Sequence, residues 1–232
     1  MRPTGMRALG TAAVTALLIL CTACGEDGGD AAASAGAECS GQGRVVAHAD
    51  LDGVGTDEPV RLTAPGEGPC AGTLVAGSGE DAGGPDVSDL DLVAKGATAV
   101  RLHGSPDLVL LFSRSHPRGG AQPHLFGADG GGALREVTVD GNPLVPFVAT
   151  DGGAAPMTAT CTDDGGVAVL EGTASQPPGV VLAWDLAETA YEIRDAEVVD
   201  STTRTVRRDA ADPVLRKEMP ELFDGSLFAD CS

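Results

Sequence analysis

The chain is predicted to be mainly β, with antiparallel hairpins in a propeller-like or sandwich arrangement and a short C-terminal helix. Three observations predict this. Short apolar or alternating runs recur along the chain, many at roughly 8–12-residue spacing. Clusters of Gly, Asp and Pro separate them, drawn from 33 Gly and 15 Pro in 232 residues. Helical periodicity with a plausible start and stop is clear at one place only, near residues 212–220. Leu, Ile, Val and Phe total 51 residues, enough for one modest core. A single β-rich domain over 39–232 is therefore expected.

The elements follow in order. Residues 44–49 and 59–63 read as strands flanking an Asp/Gly loop. Residues 87–94 are compatible with a short helix or a strand. LVLLF at 108–112 is a continuous apolar run between Pro106 and the HPRGG turn, the pattern of a strand buried on both faces. Residues 125–127 and 133–139 form a hairpin around ADGGG. A strand over 144–150 follows DGNP. Residues 158–161 and 167–171 form another hairpin around TDDGG. Val180–Trp184 is apolar, with Trp184 expected in the core, and 197–206 alternates imperfectly. Asp212 is placed to N-cap a helix, Pro213 suits its first position, and Pro220 ends or kinks it.

The N-terminus reads as an address. Arg2 and Arg7 precede an uncharged, largely apolar run, Ala8 to Leu20, too short to span a bilayer comfortably. Cys21-Thr22-Ala23-Cys24 follows. It resembles the bacterial lipoprotein cleavage box, in which small residues precede a Cys that is lipidated on sulfur and becomes the mature N-terminus. Cys21 departs from the usual Leu at its position. The resemblance implies a signal peptide over 1–23, lipidation of Cys24 and a location on the extracytoplasmic face of the membrane. The alternatives are an ordinary secretory signal cleaved near Ala23 and an uncleaved anchor. Residues 24–38, rich in Gly, Ala, Ser and acids, then form a flexible tether.

Four cysteines remain in the mature chain: Cys39, Cys70, Cys161 and Cys231. An even number in an exported chain predicts two disulfides. Three connectivities are possible and the sequence does not choose. Neighbour pairing, Cys39–Cys70 and Cys161–Cys231, is the working expectation, the second tying the C-terminus to the body. These four cysteines form no CxxC pair and the chain has no HxxxH spacing, which argues against zinc.

Charge removes other classes. With 34 acidic and 15 basic residues the formal charge is −19, which excludes a nucleic-acid footprint. It also means repulsion by anionic lipid, so membrane attachment must come from acyl chains. The partners expected are the membrane, through the lipid anchor, and a protein or other component of the cell envelope.

Asp50-Leu51-Asp52-Gly53-Val54-Gly55-Thr56-Asp57-Glu58 carries the clearest motif. With Val45-Val46-Ala47 before it and Val60-Arg61-Leu62 after it, the segment resembles the DxDGDGxxD loop of FG-GAP/VCBS-type repeats. The resemblance implies a propeller-like fold. It also implies calcium held by side-chain oxygens at loop positions 1, 3, 5 and 9, a hard cation in a Gly-permitted turn. These positions fall on Asp50, Asp52, Val54 and Glu58. Val54 offers no oxygen, and Asp57 is the adjacent carboxylate that could replace it. A weaker echo, Leu102 to Val109, keeps the Asp-Leu-Val ending of such a loop without its acidic ligands.

The nucleophile elbow, HExxH, P-loop and GxGxxG signatures are missing. His116 and His124 flank a PRGGAQP turn and could converge on a metal or act as acid and base. Aromatic residues are scarce, which disfavours sugar or single-strand binding by stacking. The leading expectation is a membrane-anchored exported lipoprotein whose domain is a non-catalytic binding or structural module. The alternatives are an exported hydrolase with an unrecognised site and a calcium-dependent adhesion or scaffold module.

Overall fold

A computed structural model describes residues 38–77, 83–93, 96–114, 120–146, 155–175 and 182–231. Residues 1–37, over which a signal peptide, a lipidated Cys24 and most of a tether are expected, and His116 lie outside the described residues. Thirteen strands run in chain order: β1 (Arg44–Ala49), β2 (Glu58–Leu62), β3 (Leu74–Val75), β4 (Thr98–Val100), β5 (Leu108–Arg114), β6 (Ala121–Ala128), β7 (Leu134–Glu136), β8 (Thr138–Val139), β9 (Asn142–Pro143), β10 (Met157–Cys161), β11 (Val167–Ala174), β12 (Ala183–Arg194) and β13 (Glu197–Ala211). Helix α1 (Asp212–Glu218) and a 3₁₀ turn (Pro220–Leu222) follow.

The strands make antiparallel sheets in sequential order: β1-β2-β3, β4-β5-β6-β7, β8-β9 and β10-β11-β12-β13. Sequential order means that neighbouring strands are joined by the hairpins the turn residues predict. The protein is thus mainly β, and no sheet among the described residues closes into a barrel. No helix among the described residues is long and apolar enough to cross a membrane.

The three larger sheets and the helix stack as layers. Strand β5 shows why. Its even residues Leu108 and Leu110 pack with Val167, Val169 and Met157 of the β10–β13 sheet. Its odd residues Val109 and Leu111 pack with Ala49, Val60 and Leu74 of the β1–β3 sheet. A strand covered on both sides has no polar face, hence the unbroken LVLLF run. On the far side of the last sheet, Leu170, Trp184 and Leu186 meet Leu215 and Leu222 of the helical segment. Trp184 is in the core, as expected.

Several expectations are corrected. Of the expected helix or strand over 87–94, residues 87–93 form neither helix nor named strand and Ala94 lies outside the described residues; isolated bridges hold the segment at Leu92, to Ser113, and just before it at Asp86, to Thr73. Of the strand expected over 144–150, Leu144 and Val145 are buried core residues beyond β9 and not in a strand, while 147–150 lie outside the described residues. Strands β12 and β13 run far longer than their apolar cores, because each supplies the other's backbone hydrogen bonds along the hairpin. Asp212 is the first helical residue and does not cap; Ala211 holds the cap position without a side-chain bond. The Asp212 carboxylate instead accepts hydrogen bonds from Trp184 Nε1 (3.0 Å) and Arg216 Nε (2.7 Å). Burial alone would raise its pKa, but these two donors outweigh it and hold the carboxyl below its ordinary value.

Both disulfides form in the neighbour pairing, Cys39–Cys70 and Cys161–Cys231, with Cα separations of 5.4 and 5.5 Å. The second fastens the C-terminal segment to β10.

Candidate functional site

Each of the three larger sheets opens with a hairpin, and the three opening turns gather at one end of the stack. They are 50–57 after β1, 101–107 after β4 and 162–166 after β10. Together they line an open cleft of about 860 Å³. Carboxylates dominate its wall: Asp50, Asp57, Asp107, Asp163 and Asp230, with Arg101 among them. The Cys161–Cys231 disulfide forms part of the lining and holds Asp230 there.

The turns interlock. The Asp50 amide donates to Asp107 Oδ2 (2.9 Å), and the Asp107 amide donates to the Asp50 carbonyl (2.8 Å). Gly165, at φ +83°, has its Cα so close to the middle turn that a Cβ there would lie 2.7 Å from the His103 carbonyl oxygen. Any side chain at Gly165 would therefore push two turns apart.

Arg101 is the cationic centre. Its guanidinium grips Asp57 with two hydrogen bonds of 2.7 Å and reaches Asp107 Oδ2 at 2.6 Å. Asp107 is 4% exposed, so its charge needs this partner. The hydrogen bond from Arg101 lowers the Asp57 pKa, and the same bond raises that of Arg101. The bidentate fork explains why an Arg stands here, since it clamps planar carboxylates from two turns at once.

Of the residues that the calcium-type motif marks, Asp50, Asp52 and Glu58 come together; one oxygen from each lies within 4.8 Å of the others. Each carboxylate also orders the loop. Gly55 N–H donates to Asp50 Oδ2 (2.9 Å), Val54 N–H to Asp52 Oδ1 (3.0 Å) and Leu51 N–H to Glu58 Oε2 (2.9 Å). Asp50 Oδ1 is buried and has no hydrogen-bond partner among the described residues, an orphaned acceptor of the kind a cation would satisfy. The donor set fits a hard cation at three positions. Val54 is 72% exposed and contributes nothing. Asp57 does not replace it, because Arg101 has engaged both of its oxygens.

His124 is placed differently from expectation. It is 5% exposed in β6, with Nε2 2.9 Å from Ser113 Oγ and Nδ1 2.7 Å from Glu136 Oε1. Both ring nitrogens are therefore engaged, and none is directed to a metal. The order Ser–His–carboxylate is that of an activated nucleophile, but Ser113 is 5% exposed on the face that β4–β7 turns toward β1–β3. The trio satisfies buried polar groups across three neighbouring strands.

Sequence reasoning missed Arg101, the Ser113–Glu136 pair around His124 and the convergence of the third turn. One signal was available for the last. Each turn precedes an apolar strand of similar form: Val60-Arg61-Leu62, Leu108-Val109-Leu110 and Val167-Ala168-Val169. No protein-family model, curated protein or solved structure matches this chain.

Proposed function

We propose that this protein is an exported lipoprotein, anchored through Cys24, whose β-rich domain is a non-catalytic binding module with its ligand face at the three gathered turns. The observation that carries the reading is the acid-lined cleft where these turns meet, built on rigid strand ends and fixed by Arg101. Strand-end turns on a stiff scaffold are where binding residues concentrate. A cleft with this excess of carboxylates attracts cationic groups, so a partner presenting Lys, Arg or amines suits it. Two disulfides fit an oxidising, extracytoplasmic setting. The tether over 24–38 gives the domain reach above the membrane. The test has two arms. A Cys24→Ser variant leaves the membrane fraction and lacks acyl mass; an unmodified Cys24 in the native chain overturns the anchor. Pull-down from envelope extracts with the native domain captures partners that an Asp163→Asn, Asp230→Asn variant loses; equal capture by both removes the cleft from the reading.

A second reading, a calcium-dependent adhesion or scaffold module, is favoured by the orphaned Asp50 Oδ1 beside Asp52 and Glu58. Calcium there would cross-link the two ends of the first turn through oxygen ligation. With three protein carboxylates and no fifth-position ligand, affinity falls in the weak extracellular range of roughly 10⁻⁴–10⁻³ M. At about 100 times its dissociation constant, a cation binding only the folded state adds about 2.7 kcal/mol. Melting temperature rises with millimolar calcium, and Asp52→Ala abolishes the rise. The same melting temperature in calcium and in chelator leaves the loop a plain turn.

A further inference from the structure

Strand β13 spans fifteen residues, Glu197–Ala211, and ends the β10–β13 sheet. Among the described residues it pairs with β12 alone, and eleven of its fifteen residues are exposed. A long edge of this kind carries a row of outward N–H and C=O groups open to another strand. Charge along it is uneven. Glu197 and Asp200 occupy the first half, while Arg204, Arg207 and Arg208 occupy the second, with Asp209 close to its end; Arg207 also pairs with Glu218 of the helix at 2.7 Å.

We propose that this edge pairs antiparallel with the β13 edge of a second copy of the chain, on a two-fold axis through Thr202. That register sets Asp200 opposite Arg204 of the second copy and Glu197 opposite Arg207. Ser201 meets Thr203, Val198 meets Val206, and Thr202 meets itself. Both ion pairs occur twice, as an isologous interface requires.

The faces agree as well. In the β12–β13 ladder Glu197, Asp200, Thr202, Arg204 and Arg207 oppose Arg194, Glu192, Ala190, Glu188 and Leu186. Those β12 residues alternate regularly, so they share one face. The five β13 residues share it too, because the register shifts leave Val199 and Val206 as extra residues. Residues related by a two-fold normal to a sheet must lie on the same face, and these do. Moving the axis to Ser201 or Thr203 separates Asp200 from Arg204, and a parallel arrangement opposes like charges, which is destabilising. Arg204 already holds Glu188 at 2.7 Å, so the joined sheet carries a Glu188–Arg204–Asp200 chain across the seam. The centre, Ser201-Thr202-Thr203, has neither bulk nor charge to keep two backbones apart. The product is one continuous sheet of eight strands, within the ordinary size range. Closure by the two-fold consumes the exposed edge and makes a dimer rather than a fibre.

The experiment uses the chain purified from expressing cells. Sedimentation velocity shows a concentration-dependent dimer. Asp200→Arg and Arg204→Asp each weaken it by about tenfold, since each replaces two attractive contacts with two repulsive ones. Mixing the two variants restores association, because every opposed pair is again unlike. Thr202→Cys forms a disulfide-linked dimer under mild oxidation, since opposed Cα atoms about 4.5–5.5 Å apart suit a disulfide. Glu197→Cys does not, its symmetry mate lying on the order of 30 Å away along the ladder. A chain that stays monomeric at all concentrations overturns the proposal, including the case where another protein's strand occupies the edge. Equal cross-linking at both positions, or mixing that fails to rescue, overturns the register and with it the proposal.

Discussion

In the β4–β7 sheet, β5 buries five of its seven residues and sends apolar side chains into two different layers. In β13, one of fifteen residues is buried. Both are strands of similar backbone, yet one is held by packing on both faces and the other by a single hydrogen-bonded neighbour. Removing apolar area from water contributes on the order of 25 cal/mol per Å², so the central sheet carries far more stability per residue. The outer hairpin is free to vary its side chains and to present them. Stability and presentation thus sit in different layers of one stack, and the gathered turns lie at its end.

The largest expected effect tests the buried side of that contrast. Phe126, 1% exposed on β6, fills the layer between the β1–β3 and β4–β7 sheets. Phe126→Ala should cost about 3–5 kcal/mol, through lost burial and the cavity left behind. Urea denaturation followed by far-UV dichroism reads it as a lower midpoint. A loss under about 1 kcal/mol would mean that the central layers collapse easily and the contrast is overstated.

Next comes the fastening of the C-terminal segment. The Cys161–Cys231 bridge closes a 70-residue separation. Replacing both cysteines by Ala should cost about 2–4 kcal/mol, by freeing the unfolded chain. The outer sheet and the cleft should lose hydrogen-exchange protection before the central sheet does. Uniform loss across the domain would show that the layers do not differ in local stability.

A smaller effect is expected at the turns. Arg101→Met leaves the buried Asp107 without its cation, costing about 2 kcal/mol at neutral pH, and also frees the exposed Asp57. The pH dependence follows from Asp57. Its folded pKa lies below the ordinary carboxylate value, mainly through the Arg101 hydrogen bond. Its contribution is therefore complete above the unfolded pKa of about 4 and is lost as pH falls below that. The Arg101→Met chain should lose less stability between about pH 4 and pH 2 than the native chain. Parallel acid titrations of the two would remove Arg101 as the source of the dependence.

The smallest effect sharpens the exposed side. Thr205→Ala on β13 should change stability by no more than about 0.5 kcal/mol. A thermal melt that moves by several degrees would place hidden packing on a strand whose residues are exposed.

Much of this architecture was legible from local chemistry. LVLLF marked a strand covered on both faces because a continuous apolar run has no polar side to give to water. Gly-rich turns at 53–55 and 164–166 marked hairpins, since a reversal needs residues that tolerate positive φ. The four cysteines from Cys39 onward announced two bridges, and Asp50, Asp52 and Glu58 announced a turn whose carboxylates converge. These are properties of residues a few positions apart, or of counts, and a sequence carries them directly. Residue order could not reveal what depends on layers meeting. Asp57 looked like a spare ligand until the fold brought Arg101, forty-four residues away, against it. His124 looked like a metal ligand or an acid/base beside a turn until β5 and β7 placed Ser113 and Glu136 at its two nitrogens. Asp212 looked like a cap until the last sheet set Trp184 over it. In each case the deciding partner arrives through sheet stacking or strand pairing, and the free energy of burying a charge or ring nitrogen is set by that partner rather than by sequence neighbours.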